Sequence, residues 1–205
     1  MKFLLTVAGL FLLVAAGFYV IDLVQGPHPT PASVATATST FTDPGVFRFD
    51  YPTTFTLSGK VYGETQDWKQ GSTTSGALLA TIMIPGDFEP QTNFSDAKFT
   101  VGTSTNPGAI TTCLTEGNGA AASSTSVAIN GASFSRISFD GAGAGNFYET
   151  TSYRTVHNGE CYAIEYTIHS TNIGNYSPDQ GIKEFDKAKV QNALEAMVQS
   201  LTFLK

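Results

Sequence analysis

The dipeptide Asn158-Gly159 lies between two runs of β-forming residues, 147–156 and 160–168, and it restricts the fold more than any other feature of the chain. A two-residue type I′ turn needs φ > 0 at both central positions, which Asn and Gly supply at little cost. Such a turn fixes the register of the hairpin: Thr155 opposes Tyr162, Tyr153 opposes Ile164 and Thr151 opposes Tyr166. Side chains on a strand alternate between faces, and a slip of one residue would exchange the two faces. Tyr153, Tyr162, Ile164, Tyr166 and Ile168 therefore predict the core face, and Cys161, Arg154, Glu165 and His169 the opposite one.

Other segments repeat the period-two pattern. Phe47, Phe49 and Tyr51 alternate with Arg48 and Asp50 until Pro52 stops the pairing. Further strands are predicted over 55–62, over 77–84 ahead of Pro85-Gly86, and over 97–103 around Phe99 and Val101. Asn106-Pro107 opens a short turn or helix leading to Cys113 and Leu114, and 117–126 reads as a surface loop whose tip could contact a partner. Asn130-Gly131 joins 127–129 to an alternating run with Phe134, Arg136, Ile137 and Phe139 in a second hairpin. Gly141 to Gly145 lacks the spacing and the Lys-Ser/Thr of a phosphate loop and reads as a flexible connection between strands. Asp186 can cap a helix in which Val190, Leu194, Met197, Val198 and Leu201 follow a 3.6-residue period, with a last short strand over 200–204. Many strands with few, late helices give an α+β fold: a central antiparallel β-sheet covered by a few helices.

Ahead of this domain stands an apolar run, 3–21, broken only by Thr6, Gly9 and Gly17. At 1.5 Å per residue it spans roughly 28 Å, the thickness of a bilayer core. Two readings stay open for residues 1–24: an uncleaved membrane anchor, favoured because Phe18-Tyr19-Val20-Ile21 prolongs the run, or a signal peptide cleaved near Ala15-Ala16. Lys2 is the only flanking cation, which orients the rest of the chain outside the cytoplasm. Pro27, Pro29 and Pro31, followed by Ala, Ser and Thr, make 25–45 a spacer, and 46–205 a single domain expected to be monomeric. Of the 205 residues only 14% are charged, and the net charge is -6. That balance excludes a nucleic-acid partner, which would require clustered cations.

Candidate chemistry is sparse. His157 and His169 lie at opposite ends of the hairpin, roughly 30 Å apart along the strands, too far to share a metal. Asp87, Glu89 and Asp96 do not match an EF-hand and allow at most loose calcium binding. Arg154 and Glu165 sit diagonally across the hairpin and read as a surface ion pair. No GxSxG or HExxH arrangement occurs in the sequence, so no catalytic, cofactor-binding or metal-ligating residue is nominated. Cys113 and Cys161 are the two cysteines. Outside the cytoplasm an even count favours a disulfide over two free thiols, and Cys161 would become a nucleophile only with His157 as its base. The disulfide predicts that segment 106–114 packs on the face opposite the tyrosines, with the two Cα atoms within about 7 Å.

The opening Phe47-Arg48-Phe49-Asp50-Tyr51-Pro52-Thr53-Thr54-Phe55 and the closing helix through Leu194 and Met197 into Ser200-Leu201-Thr202-Phe203 resemble the two ends of PsbP-like domains. The resemblance implies a central antiparallel sheet with helices on its faces. Members in oxygenic phototrophs assist the photosystem and hold manganese or calcium, but none of their functional residues can be placed on this chain. Taken together, the expectation is a membrane-tethered, extracytoplasmic domain that binds a protein or envelope component without catalysis. The alternatives are a hydrolase-type enzyme with a loop-assembled site and a purely structural or stress-related envelope protein. With the leading segment cleaved, the domain would be secreted or periplasmic.

Overall fold

A computed structural model describes residues 37–59, 61–115 and 124–205. The expected anchor or signal segment, most of the spacer and residues 117–123 of the expected loop lie outside the described residues. Two antiparallel sheets, two α-helices and four short 3-10 turns make up the described part. The larger sheet has the strand order β3 (Thr56–Leu57), β5 (Gly76–Ile84), β6 (Phe94–Ser104), β10 (Glu160–Thr171), β9 (Asn146–His157), β8 (Ala132–Gly143), β7 (Thr125–Ile129), with β4 (Val61–Thr65) also paired to β5. The smaller sheet is β1 (Thr38–Asp43), β2 (Phe47–Pro52) and β11 (Thr202–Phe203), with β2 in the middle. The helices are α1 (Pro107–Thr112) and α2 (Lys187–Ser200).

The β9–β10 register is the one that Asn158-Gly159 predicts, pairing Thr155 with Tyr162, Tyr153 with Ile164 and Thr151 with Tyr166. Three successive two-residue turns build the β7–β8–β9–β10 meander: Asn130-Gly131, Ala144-Gly145 and Asn158-Gly159, each with positive φ at both positions. The middle turn corrects the reading of 141–145 as a connection. Gly141 to Gly143 continue β8, and the chain reverses at Ala144, a residue that seldom adopts φ > 0 and so gives no turn signal. Two further boundaries move. The Thr/Ser-rich stretch assigned to the spacer alternates as Thr38–Asp43 and pairs residue by residue with β2, so the folded part starts before position 46. The strand expected over 55–62 is divided into β3 and β4, with Gly59 between them at φ 58°.

The core lies between the inner face of the large sheet and a layer formed by the small sheet and α2. Phe47 and Phe49 of β2, Phe99 and Val101 of β6, Ile82 of β5 and the inward face of α2 (Val190, Leu194, Met197, Val198) are all buried in one cluster. Phe49 meets Phe99 at 5.1 Å between ring centroids, which joins the two sheets. The Asp186 carboxylate accepts the Lys189 N–H at 3.0 Å and caps α2 as expected. Burial of each large apolar side chain contributes about 1.5–3 kcal/mol.

The predicted tyrosine face is the core face, and its hydroxyls are satisfied there. Tyr153 and Tyr166 both donate to Glu195 of α2, Tyr166 at 2.6 Å, and Arg136 donates to the Tyr153 oxygen at 2.9 Å. Desolvation, and then the neighbouring Glu195 carboxylate, push Tyr166 up to about 12 and Tyr153 higher still. Tyr162 is pushed up to about 12 by desolvation and by Glu160. These phenols hold their protons more tightly in the folded chain than in the unfolded one. Stability is therefore expected to fall as pH rises from about 10 towards 12. In an ultraviolet titration of the eight tyrosines, three should ionise only together with loss of structure. Ionisation of all eight near pH 10 in folded protein would contradict this.

Candidate functional site on the outer face of the large sheet

The face opposite the tyrosines is half covered, and the cover defines a site. At one end α1 packs over the sheet, its Asn106 cap accepting the Gly108 N–H at 2.8 Å. Cys113, which follows α1, is bonded to Cys161 of β10 with 5.6 Å between Cα atoms, as the sequence predicts. Beside it the segment after β4 lays Trp68, which has no exposed surface, across the strands. Its indole N–H donates to the Thr74 carbonyl at 2.9 Å. Two strand glycines make room for it. A Cβ at Gly76 would stand 2.5 Å from the indole, and one at Gly102 would collide with the Trp68 carbonyl. Trp68, Ala109, Cys113, Cys161 and Ala163 form a second small core.

The next row of the face carries the largest departure from expectation. Arg154 and Glu165 are not a surface pair. Arg154 is fully buried and Glu165 nearly so, with Arg154 Nη2 3.6 Å from Glu165 Oε1. Arg154 Nε donates to Ser152 Oγ at 2.8 Å. Together the pair binds both backbone groups of Gln70: Glu165 Oε2 accepts its N–H at 2.8 Å and Arg154 donates to its carbonyl at 3.0 Å. Charges removed from water need such partners, and here they clamp the Trp68 segment to the sheet.

Beyond Gln70 the cover ends. Two cross-strand rows remain open, Met83–Lys98–Thr167–Thr150–Phe139 and Asp96–His169–Tyr148–Gly141. They line a solvent-open groove of about 580 Å³. A recess of about 300 Å³ beside Gln70, Lys98 and Thr167 continues it towards Glu165. His169 is fixed on three sides. Its Nδ1 lies 3.1 Å from Asp96 Oδ2, its Nε2 lies 3.0 Å from Asn146 Oδ1, and its ring stacks on Tyr148 at 4.6 Å and 11°. Thr150 and Thr167 share a hydroxyl hydrogen bond of 2.8 Å, and Phe139 lies under the Arg154 guanidinium at 5.4 Å.

The other residues weighed from sequence are dispersed. His157 stacks on Phe203 at 4.0 Å, at the far end of β9. Glu89 turns to α2, where it pairs with Lys189 at 2.6 Å and accepts the Asp186 N–H at 3.0 Å, away from Asp96. Among the described residues no group of three or more His, Cys, Asp or Glu is placed to hold a metal. A second cavity of about 410 Å³, between α2 and the end of β2, is lined mainly by apolar groups including Tyr51, Pro52, Phe55 and Met197. The cover, not the groove, had one local signal: isolated glycines within strands at 76 and 102 mark a close approach by something lying on the sheet.

No protein-family model matches this chain, and no curated protein does. Among solved structures it is similar to a protein of Bacteroides thetaiotaomicron VPI-5482, at 14% identity and a TM-score of 0.40, over 81% of this chain and 48% of that one. The chain thus spans about half the length of the Bacteroides structure. It is also similar to LpqN of Mycobacterium tuberculosis, described as involved in cell envelope biogenesis, at 10% identity and a TM-score of 0.37, over 88% of this chain and 100% of that one. Likenesses this remote carry no argument about activity or partners, and what the chain does has to be read from its own groove.

Proposed function

We propose that this chain is a membrane-tethered, extracytoplasmic domain that binds a cell-envelope component, without catalysis, in the groove on the open half of its outer sheet face. The observation that carries this reading is the contrast between the two halves of that face. One half is sealed by Trp68, α1 and the disulfide, while the other keeps two rows of polar and aromatic side chains in contact with solvent. The extracytoplasmic placement is supported by the Cys113–Cys161 disulfide and by the apolar run at 3–21. A distant relation to PsbP-like domains belongs to the same proposal. In its support, Phe47 and Phe49 of the resembling segment are core residues and Tyr51, Pro52 and Phe55 border the cavity beside α2. The hydrolase alternative is weakened by His169, whose two ring nitrogens are engaged by Asp96 and Asn146. In that arrangement neither is open for proton transfer to a substrate.

Site-specific photocrosslinking in the full chain tests the reading. A crosslinker replacing Lys98 at the groove should yield a heavier adduct with envelope material in intact cells. The same group replacing Asp179, exposed on another part of the surface, should not. Equal labelling at both positions, or at neither, would count against the groove as the binding face.

A further inference from the structure

We infer that the ligand of this groove is an uncharged saccharide of a few rings, an inference that rests on the groove being the binding face. Volume comes first: about 580 Å³ is the size of a small-molecule site rather than of a protein interface. Charge comes second. The two groove rows carry the Asp96 carboxylate against Lys98, and Asp96 is already engaged by His169. A phosphorylated or polyanionic ligand requires converging cations, and a single lysine beside a carboxylate does not provide them.

The arrangement of apolar and polar groups then narrows the class. Tyr148 is 41% exposed, yet its ring is held flat against His169. It is a rigid aromatic surface that loses little side-chain freedom when something stacks on it. Around it stand the paired hydroxyls of Thr150 and Thr167, the Lys98 ammonium and the Asp96 carboxylate. A pyranose offers the complement, an apolar C–H face bordered by hydroxyls that both donate and accept. A peptide fits less well. The strands under the groove have both edges paired, β6 between β5 and β10, β9 between β10 and β8, so no edge is available for strand addition. Gly141 pairs with Tyr148 and leaves space above it, since a Cβ there would make only ordinary contacts, the nearest at 3.8 Å.

The test uses the full chain in detergent micelles, passed over beads that carry protease-digested polysaccharide extracted from the cell envelope. Retention is expected, and mild periodate, which cleaves vicinal diols, should abolish it. Tyr148→Ala should weaken retention about tenfold. Gly141→Tyr, which fills the groove while leaving Tyr148 in place, should remove it, with both variants unfolding at a midpoint close to the parent's. Retention by beads carrying envelope protein instead, lost in Tyr148→Ala, would overturn the saccharide while keeping the groove as the binding face. Polysaccharide retention indifferent to both substitutions would overturn the groove as the saccharide site. Retention by neither kind of bead would overturn the binding reading as well.

Discussion

Cys161→Ser should lower the unfolding free energy by about 4 kcal/mol, the loop-entropy value for the separation of 48 residues that the disulfide closes. The loss is also local. α1 has six residues, too few to be helical alone, and the bond to Cys161 holds its end on the sheet. Without that bond, proteolysis should begin close to α1 before the sheet opens. Denaturant unfolding gives both readouts. The midpoint should fall, and the slope should rise, because an uncrosslinked unfolded chain exposes more surface. Reduction of the parent protein should reproduce the Cys161→Ser curve, and further reduction of the variant should change nothing. A loss under about 1 kcal/mol would mean that α1 is held by packing and not by the bond.

Removal of Trp68 should have an effect of similar size by a different mechanism. Trp68→Ala empties the middle of the outer-face cover and removes the donor to the Thr74 carbonyl, at an expected cost of about 3–5 kcal/mol. Gly102→Ala attacks the same contact from below, since the added methyl collides with the Trp68 carbonyl and must lift the segment off the sheet. Trp68 is the single tryptophan, so its fluorescence reports the event. Parent protein should emit as a buried indole, and Gly102→Ala should shift emission to the red in native buffer while the meander stays folded. Unchanged emission together with an unchanged midpoint in Gly102→Ala would contradict the packing described.

Local rules account for what the sequence revealed. The β9–β10 register, the Asn130-Gly131 hairpin and the Asp186-capped helix each depend on residues a few positions apart, where turn chemistry, periodicity and capping act. The disulfide came from a count of two and a compartment, and the face of Cys161 then told which segment had to cover it. What stayed hidden depends on distant partners. Arg154 and Glu165 lie on a strand face that sequence reads as solvent-exposed. They are buried because Gln70, 84 and 95 residues away, folds over them. Nothing near either residue signals that cover, since only the paired sheet brings the three together. The groove is the remainder of the same event, visible only once the limit of the cover is known. Ala144 stayed hidden because Ala seldom adopts φ > 0, and Thr38–Asp43 because its Ala, Ser and Thr-rich surroundings show no hydrophobic period, although Thr and Phe favour strands.

The small sheet has a practical consequence for handling the protein. Its outer strands, β1 and β11, are the first and last described strands, and both pair with β2. Phe49 of β2 meets Phe99 on the inner face of β6, whereas Lys98 points to the groove. Both ends of the domain therefore leave from the layer on the far side of the main sheet from the groove. A biotin, a fusion partner or a bead linkage placed after Lys205 fastens the molecule by its back and presents the groove to whatever flows past.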